Sequence, residues 1–243
     1  MRAARRPRWL ILLAATVAAL GTARLGVWQL SRAAQKTALQ QSIAERGAMA
    51  PLPAAALAPP GADPADQLHR PVELQGRWLP RHTVFLDNRQ MQGRPGFYVV
   101  TPLQLPEGGA VLVQRGWVPV DARDRTQLPT VPTPPGEVRV RGRIAPPPSR
   151  LYEFAAEASG AIRQNIDLAS FEKEVGLALR PLSVLQADTG DERDGLARQW
   201  PLPAVDVSKH HGYAFQWFAL SALIVGLTLW FQFLRPRHDD RPA

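Results

Sequence analysis

Residues 213–234 read YAFQWFALSALIVGLTLWFQFL, a run without one charged side chain that follows directly on His210, His211 and Gly212. The hydrocarbon core of a bilayer needs about 20 helical residues at about 1.5 Å rise each. The chain therefore reads as a membrane protein, with a transmembrane helix over residues 210–234. The two adjacent histidines fall where that helix meets water, beside Tyr213 and Trp217. Such a place suits the docking of a membrane-embedded cofactor or partner.

A second apolar run, residues 9–30, follows a basic tail that holds Arg2, Arg5, Arg6 and Arg8. A charged start before an apolar stretch is also the pattern of a secretory signal peptide. Two features argue for a retained anchor instead. The run is long enough to span if Arg24 is tolerated, and the small-residue site is followed by Leu25, Val27 and Trp28, where a cleaved protein would turn polar. Arg24 then lies about six residues inside the helix end, about 9 Å deep, from where a long side chain can snorkel outward.

Orientation follows from Lys and Arg. The tail of residues 1–8 and the tail of residues 235–243, with Arg235, Arg237 and Arg241, both flank apolar runs and are expected in the cytoplasm. The middle, residues 31–209, is then periplasmic, and the protein is a multi-pass component of the inner membrane. The formal charge is +8, but basic and acidic residues nearly cancel between residues 31 and 210. The excess belongs to topology, so nucleic acid is not an expected partner.

There is no cysteine. The exported region must be held by its core, and thiolate zinc sites, iron–sulfur clusters and cysteine nucleophiles are excluded. Of the five histidines, only His210 and His211 are close together in sequence.

The exported part suits one domain. Residues 31–46 continue the first helix with polar character, and residues 48–64, AMAPLPAAALAPPGADP, read as an extended linker or edge segment. Strand patterns follow at 72–78, 83–87, 97–101, 110–118 and 137–144, with a last one at 182–186. Gly93, Gly96 and Gly116 read as turn or bulge residues. One soluble helix is expected, with Asp167 as N-cap and Gly176 at its end. The expected fold is membrane α+β: a two-helix hairpin flanking a mostly antiparallel, barrel-like β domain with one short helix.

No nucleophile elbow, phosphate loop, paired dinucleotide glycines or His-Glu-x-x-His is present, so an enzyme is not expected. The acidic stretch from Asp188 to Asp194 reads as a solvated loop. A membrane-anchored hydrolase would have to use His69 or His82 with a nearby carboxylate.

The informative residues gather at one membrane face. Arg24 and Trp28 are i,i+4 neighbours on the first helix, while His210, Tyr213, Ala214 and Trp217 recur at helical spacing on the second. Facing each other, the two stripes would line a shared pocket. Taken singly, Trp28, Tyr213 and Trp217 are equally interfacial anchors, Arg24 can snorkel without a ligand, and Gln29, Gln216 and Gln232 can serve as interhelical hydrogen-bonding groups.

Five separated motifs carry a resemblance. LGVWQLSR at 25–32, Asn88-Arg89 with Gly93 and Gly96, VVTP at 99–102, VLVQRGWVP at 111–119 and HHGYAFQWF at 210–218 resemble the surfeit locus protein 1 family, the cytochrome c oxidase assembly factors also called Shy proteins. The order of helix, exported domain and helix is also the family's.

The resemblance implies a non-enzymatic role in supplying or stabilising haem a for insertion into subunit I of a haem-copper oxidase. It implies that His210 is the haem-iron ligand, with His211 as the substitute. Aromatic groups at Tyr213, Trp217 and Trp28 suit the porphyrin, and Arg24 or Arg115 suits its propionates. Arg89 also carries the motif. Arg115 and Trp117 could equally fix the end of the sheet. Expected partners are subunit I, other assembly factors and haem a synthase. A haem-free scaffold docking on an oxidase subunit is the alternative.

Overall fold

The structure, a computed structural model, describes residues 8–121, 123–124, 127–148, 160–190, 193–201 and 207–234. The tail arginines Arg2, Arg5, Arg6, Arg235, Arg237 and Arg241 lie outside the described residues, as do Asp191 and Glu192. The chain forms two compact units: residues 1–41 with 204–243, and residues 42–203.

The first unit is helical. Helix α1, Arg8–Gly47, runs for 40 residues without a proline, rich in Ala, Leu, Gln and Arg, which lose little freedom in a helix. Helix α3, Val207–Leu229, has 23 residues and passes into a π-helical turn over Trp230–Leu234. Both are long and apolar enough to cross a membrane. Leu13, Val17, Phe215, Leu223 and Phe231 stand exposed around them. Apolar helical stretches uncovered by protein, in the first half of α1 and along α3, suit a lipid solvent.

The seam between the two helices is built from small residues. Ala19 and Gly26 on α1 and Ala214 on α3 are buried. Gly26 has no side chain because the Phe218 ring occupies the space: a Cβ there would come within 2.8 Å of ring carbons. The Ser221 hydroxyl donates to the Ala19 carbonyl across the seam at 2.9 Å. Small side chains and a cross-helix hydrogen bond are what bring helices together in lipid, where apolar burial supplies no drive.

The second unit is one mixed sheet. Its strands are β1 Leu52–Pro53, β2 Pro71–Trp78, β3 Val84–Met91, β4 Arg94–Gln104, β5 Ala110–Pro119, β6 Glu137–Ala145, β7 Ile162–Arg163 and β8 Leu179–Gln186. They lie in the order β1-β2-β6-β8-β5-β4-β3-β7. A short contact of β2 with β4, Arg77 opposite Gln104 and Trp78 opposite Leu103, curls the sheet. It is not a clear barrel. Nor are all its neighbours antiparallel: β8 runs parallel to β5, β1 to β2 and β7 to β3. Alternation reports which face a side chain takes and carries no record of strand direction.

Strand β5 is central, and its alternation divides the core. Val111 and Val113 join Leu74, Leu103, Val140, Ile144 and Val184 on one side, while Ala110 and Leu112 join Leu86, Val100, Phe171 and Leu179 on the other. A strand buried on both faces reads as a continuous apolar run, as VLV does. The Ala/Pro-rich stretch is packed as an edge segment, with Leu57 and Ala58 buried in the first cluster.

Local chemistry sets the turns and the short helix. Gln92 and Gly93, with φ of 52° and 75°, make the two-residue link between β3 and β4, where a primed turn matches strand twist. Gly96 corrects the turn expectation. It lies within β4, where a Cβ would strike the Val118 carbonyl and the Trp117 ring. Helix α2, Leu168–Val175, starts at Asp167, whose carboxylate accepts from the Ser170 amide at 3.0 Å, and stops at Gly176 in the left-handed region. Its Phe171 is buried against the sheet and contributes about 1.5–3 kcal/mol by leaving water.

Candidate functional site

The residues singled out in the helices separate by face. On α3, His210, Ala214, Trp217 and Ser221 are buried or half-buried, while His211, Tyr213, Phe215 and Gln216 are exposed. On α1, Ala19, Gly26 and Gln29 are buried or half-buried, whereas Arg24 and Trp28 are exposed. The seam thus brings His210 to Gln29 and Phe218 to Gly26, and Trp217 is half-buried on the face of α3 that holds His210. Arg24 and Trp28 lie off it, and Trp28 has the Arg32 guanidinium over its ring at 5.7 Å from the centroid. Tyr213 and His211 turn outward.

His210 and Gln29 are joined directly, with Nδ1 2.7 Å from Oε1. An amide oxygen only accepts, so in this orientation Nδ1 carries the proton and donates it. The neutral ring then has Nε2 as its lone-pair nitrogen. An imidazole fixed through one nitrogen and unprotonated at the other is the form that binds a metal centre, the partner setting both tautomer and ring angle. Of the interhelical glutamines considered from sequence, Gln29 is the one with this role.

The sheet motifs assemble elsewhere, around the segment of residues 193–201. Arg115 occupies a bulge in β5, where Val99 pairs with Gly116 and Val100 with Gln114. Its Nη1 donates to Thr133 Oγ1 at 2.7 Å, and its Nη2 to the Pro132 carbonyl at 2.8 Å and Asp194 Oδ2 at 3.4 Å. Its guanidinium also lies over the Trp78 ring, 4.9 Å from the centroid. Asp194 in turn accepts from Arg198 Nη2 at 2.5 Å. All three side chains are at most 8% exposed.

Burial pushes the Arg115 guanidinium below its ordinary pKa; Asp194 works against that shift and Arg198 with it. Asp194 is therefore no solvated loop residue. A charge run looks solvated in sequence because the partner that buries it, here Arg115, lies 79 positions away and does not show in the local pattern. Arg198 and Trp78 carried no local signal either.

Other motif residues pin the same segment. Trp117 exchanges backbone hydrogen bonds with Ala197, and its indole donates to the Arg89 carbonyl at 3.0 Å. A Cβ on Gly116 would strike Leu196. Trp200 stacks edge-on to Tyr98 and donates to the Gln186 carbonyl at 2.8 Å. Buried Arg89 donates to the Gln164 carbonyl at 2.8 Å. These contacts give Arg89, Arg115 and Trp117 structural employment.

His69 and His82 have no carboxylate partner among the described residues. His69 sits near Arg143 and Arg46, and burial first, then those two charges, lowers its pKa. Two cationic neighbours are the wrong surroundings for a histidine–carboxylate pair.

A family model described as "SURF1 family" matches residues 16–222. A SURF1-like protein of Rickettsia bellii (strain RML369-C) is 27% identical over 83% of this chain and 82% of its own length, and one of Rickettsia conorii (strain ATCC VR-613 / Malish 7) is 27% identical over the same shares. A SURF1-like protein of Dictyostelium discoideum is 35% identical over 25% of this chain and 22% of its own.

Proposed function

Because the chain belongs to the SURF1 family, we propose that it serves the assembly of a haem-copper cytochrome c oxidase by holding haem a for insertion into subunit I. Membership supports a role in oxidase assembly in general, in a family of assembly factors and not an enzyme class. The haem-handling part rests on the site chemistry. The observation that carries it is the bond from His210 Nδ1 to Gln29 Oε1 at 2.7 Å, which presents Nε2 as a ligand at the aqueous end of α3.

Haem a is the cargo in this reading, and His210 its axial ligand. His211, exposed one position on, is the substitute. Trp217 and Tyr213 offer aromatic surface, with Trp28 on α1, and the exposed Arg24 is the cation for a propionate. Arg115 has both terminal nitrogens engaged inside the sheet unit and is assigned to holding the sheet.

The two helices form a hairpin in the inner membrane, with residues 31–209 periplasmic and both termini cytoplasmic, as the flanking arginines direct. Partners are oxidase subunit I, other assembly factors and haem a synthase.

The test is the absorption spectrum of detergent-purified protein from cells making haem a, compared with His210→Ala and His211→Ala. A Soret band lost in His210→Ala and kept in His211→Ala supports the assignment. Equal retention in the double variant refutes ligation by this pair. No band in the unmodified protein would favour the haem-free scaffold.

A further inference from the structure

The sheet unit gathers positive charge where β6 ends beside the segment that enters β2. Pro71 pairs with Arg143, and two residues earlier the His69 amide donates to the Ile144 carbonyl at 2.8 Å, which sets His69 next to the end of β6. Arg46, in the last turn of α1, reaches the same place. Its Nη1 donates to the Ala65 carbonyl at 2.7 Å and to the Leu68 carbonyl, one residue before His69, at 3.3 Å. Two arginines and a histidine from three segments of the unit therefore converge.

These cations lack a counter-charge. Elsewhere in the unit Arg139 and Arg141 share Glu73, Arg163 takes Glu174, and Arg115 and Arg198 share Asp194. Arg46, His69 and Arg143 have no ion-pair partner among the described residues, and the Arg143 guanidinium has no hydrogen-bond acceptor among them either. Glu45 and Asp66, near in sequence, are exposed and pair with none of the three. All three are half-buried, so a ligand can reach them while water screens them less than at the open surface. Burial lowers the Arg143 pKa, and burial followed by Arg143 and Arg46 lowers that of His69. His69 also holds a φ of 71°, a region that residues other than glycine seldom enter and that recurs at ligand clamps.

We propose that Arg46, His69 and Arg143 form a binding site for a phosphate group, with the unengaged Arg143 fork as its main donor. A planar carboxylate is matched by one guanidinium, whereas three cationic side chains arriving from different segments suit a tetrahedral oxyanion that presents oxygens in several directions. The phosphate is either free or carried on a lipid headgroup, since the donors see the same oxygens. The site lies within the sheet unit and does not depend on the haem reading.

The test uses the whole protein, purified in dodecyl maltoside with carbon-13-labelled histidine, and follows the His69 imidazole by NMR at fixed pH and ionic strength, its signal identified by its loss in His69→Asn. Inorganic phosphate should shift that signal saturably, with affinity about tenfold weaker in Arg143→Gln, the loss of one charge-assisted contact, and unchanged in Arg139→Gln on the same strand. Arg143 holds no partner, so its replacement breaks no contact of the fold; Arg143→Lys, which keeps the charge without the fork, should weaken binding as well. In nanodiscs free of added phosphate, a shift in phosphatidylglycerol and not in phosphatidylcholine assigns the site to a headgroup. No saturable shift from either source, or equal affinity in Arg143→Gln and Arg139→Gln, overturns the site. A Soret band in the same preparations reports on His210 separately.

Discussion

The Arg115 guanidinium and the Asp194 carboxylate meet at 3.4 Å across 79 positions of sequence, both side chains almost wholly out of water. That pair joins the bulge of β5 to the segment that precedes α3 in the chain. Removing one member of a buried ion pair leaves the others charged and desolvated. Asp194→Ala is expected to destabilise the sheet unit by about 3–5 kcal/mol, and Asp194→Asn by less because an amide oxygen still accepts. Thermal melting of both variants checks this; an unshifted Asp194→Ala would show the pair to be idle.

At the helix seam, Gly26→Ala places a methyl against the Phe218 ring. The expected loss is about 1–3 kcal/mol from overpacking. In a Phe218→Ala background the same change should stabilise by up to about 1 kcal/mol, because Ala is the better helix former. Detergent melting of the four proteins closes the cycle, and additive losses would deny the contact.

Gln29→Leu removes the acceptor that orients His210. Haem should still associate, with a weakened or shifted Soret band, whereas Gln29→Glu should keep the ring oriented and make it a stronger donor. Spectra of both variants identical to the unmodified protein would remove Gln29 from the site.

His69 carries a positive φ of 71° and a pKa lowered by burial and by Arg143 and Arg46. The unfolded chain therefore binds a proton that the folded one resists. Stability should be full above the ordinary histidine value of about 6.5 and fall as pH drops through it toward the lowered folded value. His69→Asn, which tolerates the left-handed region, should lessen the drop in melting temperature between about pH 7.5 and 5.5. An unchanged drop would assign the acid sensitivity elsewhere.

Topology has its own measurement. A reporter fused after residue 150 should behave as periplasmic and one after residue 238 as cytoplasmic. A cytoplasmic signal at the first position would reverse the hairpin.

Much was legible in the chain alone wherever a residue's role depends on near neighbours. The two apolar runs declare themselves by length against bilayer thickness. Asp167 and Gly176 bound their helix because a cap is a contact over three or four positions. The strand patterns of β2, β5 and β6 followed from side-chain alternation. Motif order placed the family.

What tertiary structure alone decided is every relationship between distant segments. Periodicity could not say that β8 lies parallel to β5, that Gly96 makes room for Trp117, or that Asp194 is buried between two arginines. Nor could it say which face of α1 meets α3. Spacing groups Arg24 with Trp28, but the faces turn on where small residues let two backbones approach, so the seam chose Gln29 for His210 and left Arg24 outside. Local propensity is written in the order of residues, whereas pairing is chosen by what packs without voids or unpaired charge once the chain has closed on itself.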